Sequence, residues 1–188
     1  LAAVYDAKIV VLAFDPHPAS VLRPQHEPPR LSTPDEKCVA LHQAGADEVV
    51  LIEPSPHVLA QGAEDFVRSL VDRRRMKAIA EGENFRFGKG RQGDIAMLRR
   101  LGAQFGFEVA KVPAARVTLH DQWSVSVSSS LVRWLLTHGR VADAACCLGR
   151  GYGLTGSVVV GAKRGRTIGV PTANLDPLSV PNIMMPAD

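Results

Sequence analysis

Four short runs of β-branched and other apolar residues alternate with longer stretches of helical periodicity along residues 9–112, and this alternation narrows the fold more than anything else in the chain. Residues 9–14 (Ile-Val-Val-Leu-Ala-Phe) and 48–52 (Glu-Val-Val-Leu-Ile) are nearly continuous apolar runs of strand length. Runs without polar alternation mark strands covered on both faces, as in a parallel sheet. Residues 76–80 and 107–112 predict two more strands. Between them, Thr33-Pro34-Asp35-Glu36 has the form of a capping box with proline at the first helical position, and predicts a helix to about Ala44, stopped by Gly45. Phe66, Val67, Leu70 and Val71 recur at helical spacing within residues 63–74, and residues 95–105 predict another helix. Parallel neighbours cannot be joined by a hairpin, so this order implies right-handed crossovers. The expected class is α/β, with a Rossmann-like, doubly wound parallel sheet.

Residues 128–138 and 141–148 each carry an apolar stripe, with Gly139 between them. After Gly149 the helical pattern gives way to glycine-rich, β-type sequence over residues 154–160. This places a domain boundary near Arg150: a first domain over residues 1–150 and the beginning of a second over residues 151–188, too short to close by itself. A partial sheet leaves unpaired edges, so residues 154–188 are expected to be mobile or held by another chain. The abrupt opening at Leu1 and close at Asp188 predict a piece truncated at both ends.

Composition removes several function classes. The 22 basic and 19 acidic residues give a net charge of +3, too balanced for a nucleic-acid partner but compatible with anionic small molecules. The densest basic run, residues 73–75, falls where cations complement the C-terminal end of a helix. No apolar run approaches the roughly 20 residues of a membrane span, so no membrane partner is expected. Cys38, Cys146 and Cys147 have no metal-ligand spacing, which fits a reducing, cytoplasmic setting. His57, His120 and His138 show no ligand or triad spacing, and no pattern specifies an oligomeric state.

Four segments carry candidate chemistry. Asp15-Pro-His-Pro follows the first strand, where a carboxylate can position ribose or a metal; His17 between prolines reads more readily as a turn element. Residues 81–94 (Glu-Gly-Glu-Asn-Phe-Arg-Phe-Gly-Lys-Gly-Arg-Gln-Gly-Asp) link a strand to a helix. Their glycines permit close approach of backbone to ligand, while Asn84 and Asp94 supply polar groups; a surface loop with Phe85 and Phe87 as core plugs accounts for the same residues. Ser128-Ser-Ser130-Leu-Val-Arg133 opens a helix, and its hydroxyls, free amides and guanidinium suit a phosphate, although simple capping needs one serine. Gly161-Ala-Lys163-Arg164-Gly-Arg forms a basic, glycine-rich loop able to hold nucleotide phosphates. Thr172 and Asn174, two residues apart, share one side of an extended chain, as oxygen ligands of a hard cation would; a turn with solvated cations is the competing account.

Taken in order, these segments resemble the bacterial-type bifunctional riboflavin kinase/FAD synthetase family. The run Gly165-Arg-Thr-Ile-Gly-Val-Pro-Thr-Ala-Asn174 is similar to its riboflavin kinase signature, and the other three segments are similar to its adenylyltransferase motifs. The resemblance implies a HUP-type nucleotidyltransferase domain over residues 1–150, followed by the start of a riboflavin-kinase β-barrel. It implies that Asp15 and Asn84 contact ATP or flavin and that Ser130 and Arg133 contact ATP phosphates. In the kinase half, Gly161, Lys163, Arg164, Thr172 and Asn174 would bind ATP, with Thr172 and Asn174 also on Mg²⁺. The implied chemistry phosphorylates riboflavin to FMN and adenylylates FMN to FAD, with ATP as co-substrate and pyrophosphate as the second product. The family's His-x-Gly-His motif and its kinase glutamate are not found in this sequence, so the catalytic groups are unassigned and the chain by itself is expected to be inactive in both reactions. Val170 stands where the family has Phe, a change expected to affect packing. Two other functions fit the bare residues: a nucleotidyltransferase for another phosphorylated substrate, or a non-catalytic regulator that binds flavin or nucleotide.

Overall fold

The computed structural model describes residues 2–161, 169–170, 172–179 and 182–187. Contacts divide the chain into two compact units, Leu1–Pro28 with Cys38–Ala115, and Pro29–Lys37 with Arg116–Asp188.

The first unit carries α1 (Ala2–Tyr5), β1 (Val10–Phe14), α2 (Ala19–Leu22), most of α3 (Pro34–Gln43), β2 (Glu48–Ile52), α4 (Pro56–Leu59), α5 (Ala63–Arg74), β3 (Ala78–Gly82), α6 (Ile95–Phe105) and β4 (Glu108–Val112). All four expected strands form, β3 beginning two residues later than the apolar run suggests. They pair in parallel, β1 with β2 from Val10↔Glu48 to Phe14↔Ile52, and β3 with β4 from Ala78↔Glu108 to Gly82↔Val112. Among the described residues no ladder joins the two pairs, so the architecture is mixed α/β with two parallel sheets.

Ile79 and Val109 are opposite each other on one face of the β3–β4 pair and pack on a buried cluster of Ala63 and Val67 from α5, Leu98 and Leu101 from α6, and Phe87, Ile95 and Phe107. α6 begins where the sequence allows: Asp94 Oδ1 accepts from the Met97 amide at 2.8 Å, and Gly106, at φ +77°, ends the helix in the left-handed region that glycine tolerates. The expected capping box at α3 is also present, with the Glu36 amide donating to Thr33 Oγ1 at 3.2 Å and the Thr33 amide to Glu36 Oε2 at 2.8 Å.

In the second unit, a hairpin of β5 (Arg116–Thr118) and β6 (Ser124–Ser126) precedes α7 (Ser129–Thr137) and α8 (Val141–Leu148). Two-residue strands β7 (Val158–Val159) and β8 (Asn174–Leu175) then pair antiparallel. The core of this unit is Leu119, Val132, Leu135, Leu136, Ala144, Cys147 and Met184. Met184 comes from the stretch expected to be mobile or held by another chain. It is instead 5 % exposed, and the nearby Ala187 amide donates to Leu136 O at 2.9 Å, so this chain's own helix α7 holds residues 184–187. For these four residues one well-placed methionine supplies an anchor that needs no sheet.

Candidate functional site

Asp15 and Asn84 both follow the carboxyl ends of parallel strands, where open α/β sheets bind ligands. Asp15 extends the β1–β2 ladder, its amide donating to Ile52 O at 3.1 Å, and it is half-buried. His17 behaves as the turn element, its Nδ1 accepting from the Ala19 amide at 3.1 Å. Asn84 is exposed in a turn closed by the Phe85 amide donating to Gly82 O at 3.0 Å. Beyond it the loop is built as much for packing as for ligand: Phe85 stacks on Phe87 with centroids 5.4 Å apart, Phe87 is buried, and Asp94 serves as the helix cap. Gly88, at φ +72°, lies so close to Ala63 that a Cβ would come within 2.6 Å of that residue's Cα. Glu81, near the end of β3, was missed by sequence reasoning; burial pushes its carboxyl above the ordinary value, and a carboxylate next to last in an apolar run was its signal.

In the second unit, the three serines divide their labour. Ser128 Oγ caps α7 by accepting from the Leu131 amide at 3.1 Å, so capping consumes one hydroxyl. Ser130 is exposed in the first turn, and its hydroxyl has no partner among the described residues. Arg133, one turn further on, is half-buried and donates from Nε to Pro29 O at 2.6 Å. Burial lowers its pKa, the nearby Tyr152 acting the other way, but a guanidinium keeps its charge at any physiological pH. Its Nη donors have no partner among the described residues. The helix therefore presents a free hydroxyl and a forked cation at an end whose amides favour an anion.

A second polar network in this unit was not foreseen. Asp143 of α8 is 5 % exposed, and its Oδ1 accepts from both the backbone amide and Nδ1 of His120 at 2.8 Å. Its Oδ2 accepts from Arg140 Nε at 2.7 Å, while Arg140 Nη2 reaches Asp121 at 2.6 Å. The His120 bonds, backbone first, and the Arg140 charge hold the Asp143 carboxyl at a pKa of about 2, overcoming desolvation. A carboxylate inside the otherwise apolar run Val-Ala-Asp-Ala-Ala-Cys-Cys-Leu signalled a buried role; its partners are beyond local sequence.

Of the kinase-like residues, Lys163 and Arg164 lie outside the described residues. Gly161 and Asn174 are brought together, since a Cβ on Gly161 would collide with the Asn174 side chain, and Asn174 in β8 lies opposite Val159. Thr172 and Asn174 are both exposed. They offer only neutral oxygens, and no group of three His, Cys, Asp or Glu side chains among the described residues is placed to hold a metal. That donor set fits a hard cation arriving with phosphate oxygens, not one bound by protein alone. Val170 is 61 % exposed, so the expected packing consequence of that residue finds no basis in this chain. An open concavity of about 750 Å³, lined by residues such as Tyr5, Lys77, Phe107 and Glu108, sits at the opposite, amino ends of β3 and β4, away from Asn84. No helix among the described residues is long and apolar enough to cross a membrane.

Against known proteins, the chain is 34% identical over 168 residues to a bifunctional riboflavin kinase/FMN adenylyltransferase of Escherichia coli K12, which covers 89% of this chain and 52% of that protein. It is 30% identical over 169 residues to the enzyme of the same name from Bacillus subtilis, at 89% and 51% coverage. The chain thus spans about half the length of the curated relatives it matches. A solved structure described as a macrolide-efflux protein from Streptococcus pneumoniae superposes with a TM-score of 0.85 at 30% identity, covering 100% of this chain and 59% of that one. A riboflavin kinase profile matches residues 148–187, and a profile described as FAD synthetase matches residues 1–130. On that match, which takes in Asp15, Asn84 and Ser130, the chain belongs to the FAD synthetase family.

Proposed function

We propose that the protein to which this chain belongs makes FAD from riboflavin in two steps, phosphorylation to FMN and adenylylation of FMN with release of pyrophosphate. The observation that carries the adenylylation half is the first two turns of α7, where Ser130 is left free by the Ser128 cap and the Nη donors of Arg133 have no partner among the described residues. Both reactions are in-line displacements at phosphorus, in which positioning and charge neutralisation dominate. Ser130 and Arg133 bind ATP phosphates in this reading, and Asp15 and Asn84 contact ATP or flavin from the strand ends.

Residues 1–150 form the adenylyltransferase domain, with β1–β2 and β3–β4 as the parallel pairs of a doubly wound, HUP-type fold, and residues 151–188 begin the kinase barrel. There Gly161, Lys163, Arg164, Thr172 and Asn174 bind ATP, and Thr172 and Asn174 would also hold Mg²⁺. The divalent cation would neutralise phosphate charge, while the Asn174 side chain packs against Gly161. The substrates are small molecules; neither nucleic acid nor membrane takes part, and the free cysteines suit a cytoplasmic setting. The chain alone, without assigned catalytic groups, binds but does not turn over.

Calorimetric titration with ATP tests this reading. The chain should bind ATP, Arg133→Ala should weaken binding at least tenfold, and Ser130→Ala by several-fold, with unchanged circular dichroism. ATP binding indifferent to Arg133 would remove the basis of the proposal. In a protein of the relatives' full length, pyrophosphate release should require FMN; release with nicotinamide mononucleotide or phosphopantetheine instead would point to the other nucleotidyltransferase. FAD formation by the purified 188-residue chain would overturn its expected inactivity.

A further inference from the structure

Arg133 is tied into a closed circuit of contacts within the second unit. Its Nε donates to Pro29 O at 2.6 Å. Pro29 begins a short strap that is stiff for local reasons, following Pro28 and ending in the Thr33–Glu36 capping box. The next residue, Arg30, is gripped from both sides of its backbone: its amide donates to Asn182 O at 2.6 Å, and its carbonyl accepts from the Met184 amide at 2.7 Å. These bonds form a parallel bridge between Arg30 and Ile183. Met184 is buried against Val132, Leu135 and Leu136 of α7, its carbonyl accepts from Tyr152 Oη at 2.5 Å, and the Ala187 amide returns to Leu136 O. The circuit runs from α7 out through the Arg133 side chain, across the strap, and back to α7 through residues 182–187.

We propose that residues 182–187 are a positioning clamp for Arg133, with Tyr152 as the positioning residue that locks it. A long guanidinium side chain loses considerable rotamer freedom when it binds an anion. A strap fixed in advance removes that cost and aims the unpaired Nη donors before ligand arrives. Tyr152 lies close enough to Arg133 for each to shift the other's ionisation, and burial, the larger influence on the phenol, keeps its hydroxyl protonated and able to donate to Met184. The segment matched to riboflavin kinase thereby shapes a residue of the adenylyltransferase motif.

The inference rests on Arg133 contacting nucleotide phosphate, and the experiment separates the two. ATP and adenosine affinities would be measured by calorimetry for the 188-residue chain, Tyr152→Phe, Arg133→Ala and the double variant. Tyr152→Phe should weaken ATP binding about three- to tenfold while leaving adenosine unaffected, and should have no further effect in the Arg133→Ala background. An unchanged ATP affinity in Tyr152→Phe, or equal losses for ATP and adenosine, or full additivity in the double variant, overturns the clamp while leaving the phosphate contact standing. An Arg133→Ala chain that binds ATP normally overturns both. Because Tyr152→Phe can fail to fold, the unaltered chain supplies a second measurement: by reciprocity, saturating ATP should slow hydrogen exchange at the Arg30 and Met184 amides, and Arg133→Ala should abolish the slowing. Exchange at those amides that ignores ATP rejects the clamp.

Discussion

The α7–α8 helical pair and the β7–β8 ribbon lie in the same unit and both carry motif residues, but they are held in opposite ways. In α7 the alternation of burial is complete: Val132, Leu135 and Leu136 are at most 2 % exposed, and Ser130 and Arg133 project from a helix that its own core fixes. In and around the ribbon, Val158, Val160, Val170 and Leu178 are 68 %, 82 %, 61 % and 85 % exposed. A candidate site residue on the helix is placed by packing that needs no ligand. One on the ribbon, such as Asn174, is placed by two-residue strands and the close approach of Gly161, and derives little from burial.

The sharpest way to break this contrast is to remove apolar bulk from each side. Leu135→Ala, at a fully buried position, should cost about 3 kcal/mol or more in urea unfolding. Leu178→Ala should stay within about 0.5 kcal/mol. Equal costs would show that the ribbon contributes a core of its own.

Next in size is the polar anchor of α8. Asp143→Asn should lose about 2 kcal/mol, the worth of charge-assisted hydrogen bonds to His120 and Arg140. Because the folded carboxyl titrates near pH 2, below its ordinary 3.8, its contribution is fully present above about pH 4 and is lost as the pH falls through about 2. Urea midpoints measured between pH 5 and pH 2 should fall less steeply for Asp143→Asn than for the natural chain; parallel curves would exclude Asp143 as the acid-sensitive group. The smallest effect separates cap from ligand. Ser128→Ala should cost about 1 kcal/mol of thermal stability, whereas Ser130→Ala should change stability by a few tenths and act on ATP binding. Reversed effects would exchange the two serines' roles.

What was legible in the sequence was what is local. The Thr33–Glu36 box and the Ser128 cap are decided by residues three positions apart, and the strand and helix runs by side-chain periodicity. The neighbours of β1 and β3 were not legible, since an apolar run encodes burial and not a partner. The β5–β6 hairpin escaped because Arg-Val-Thr and Ser-Val-Ser are too short to show a period. For the candidate site, residue types and order singled out Ser130 and Arg133, but the Pro29 carbonyl that accepts from Arg133 and the Met184 carbonyl that engages Tyr152 are backbone atoms distant in sequence, on which side-chain identity is silent. Asp94 shows the converse, a polar residue in a ligand-like position whose side chain caps its own helix.

The bridge between Arg30 and Ile183 also sets an order of events during synthesis. The α5–α6 core of the first unit lies wholly before position 115, so it can close while the residues that follow are still being made. The second unit is assembled from residues 29–37 and residues that follow position 115, and it must wait for Met184 to fill its core. Until then the bridge to Ile183 cannot form, and closing so long a loop makes this the slow, late step of folding.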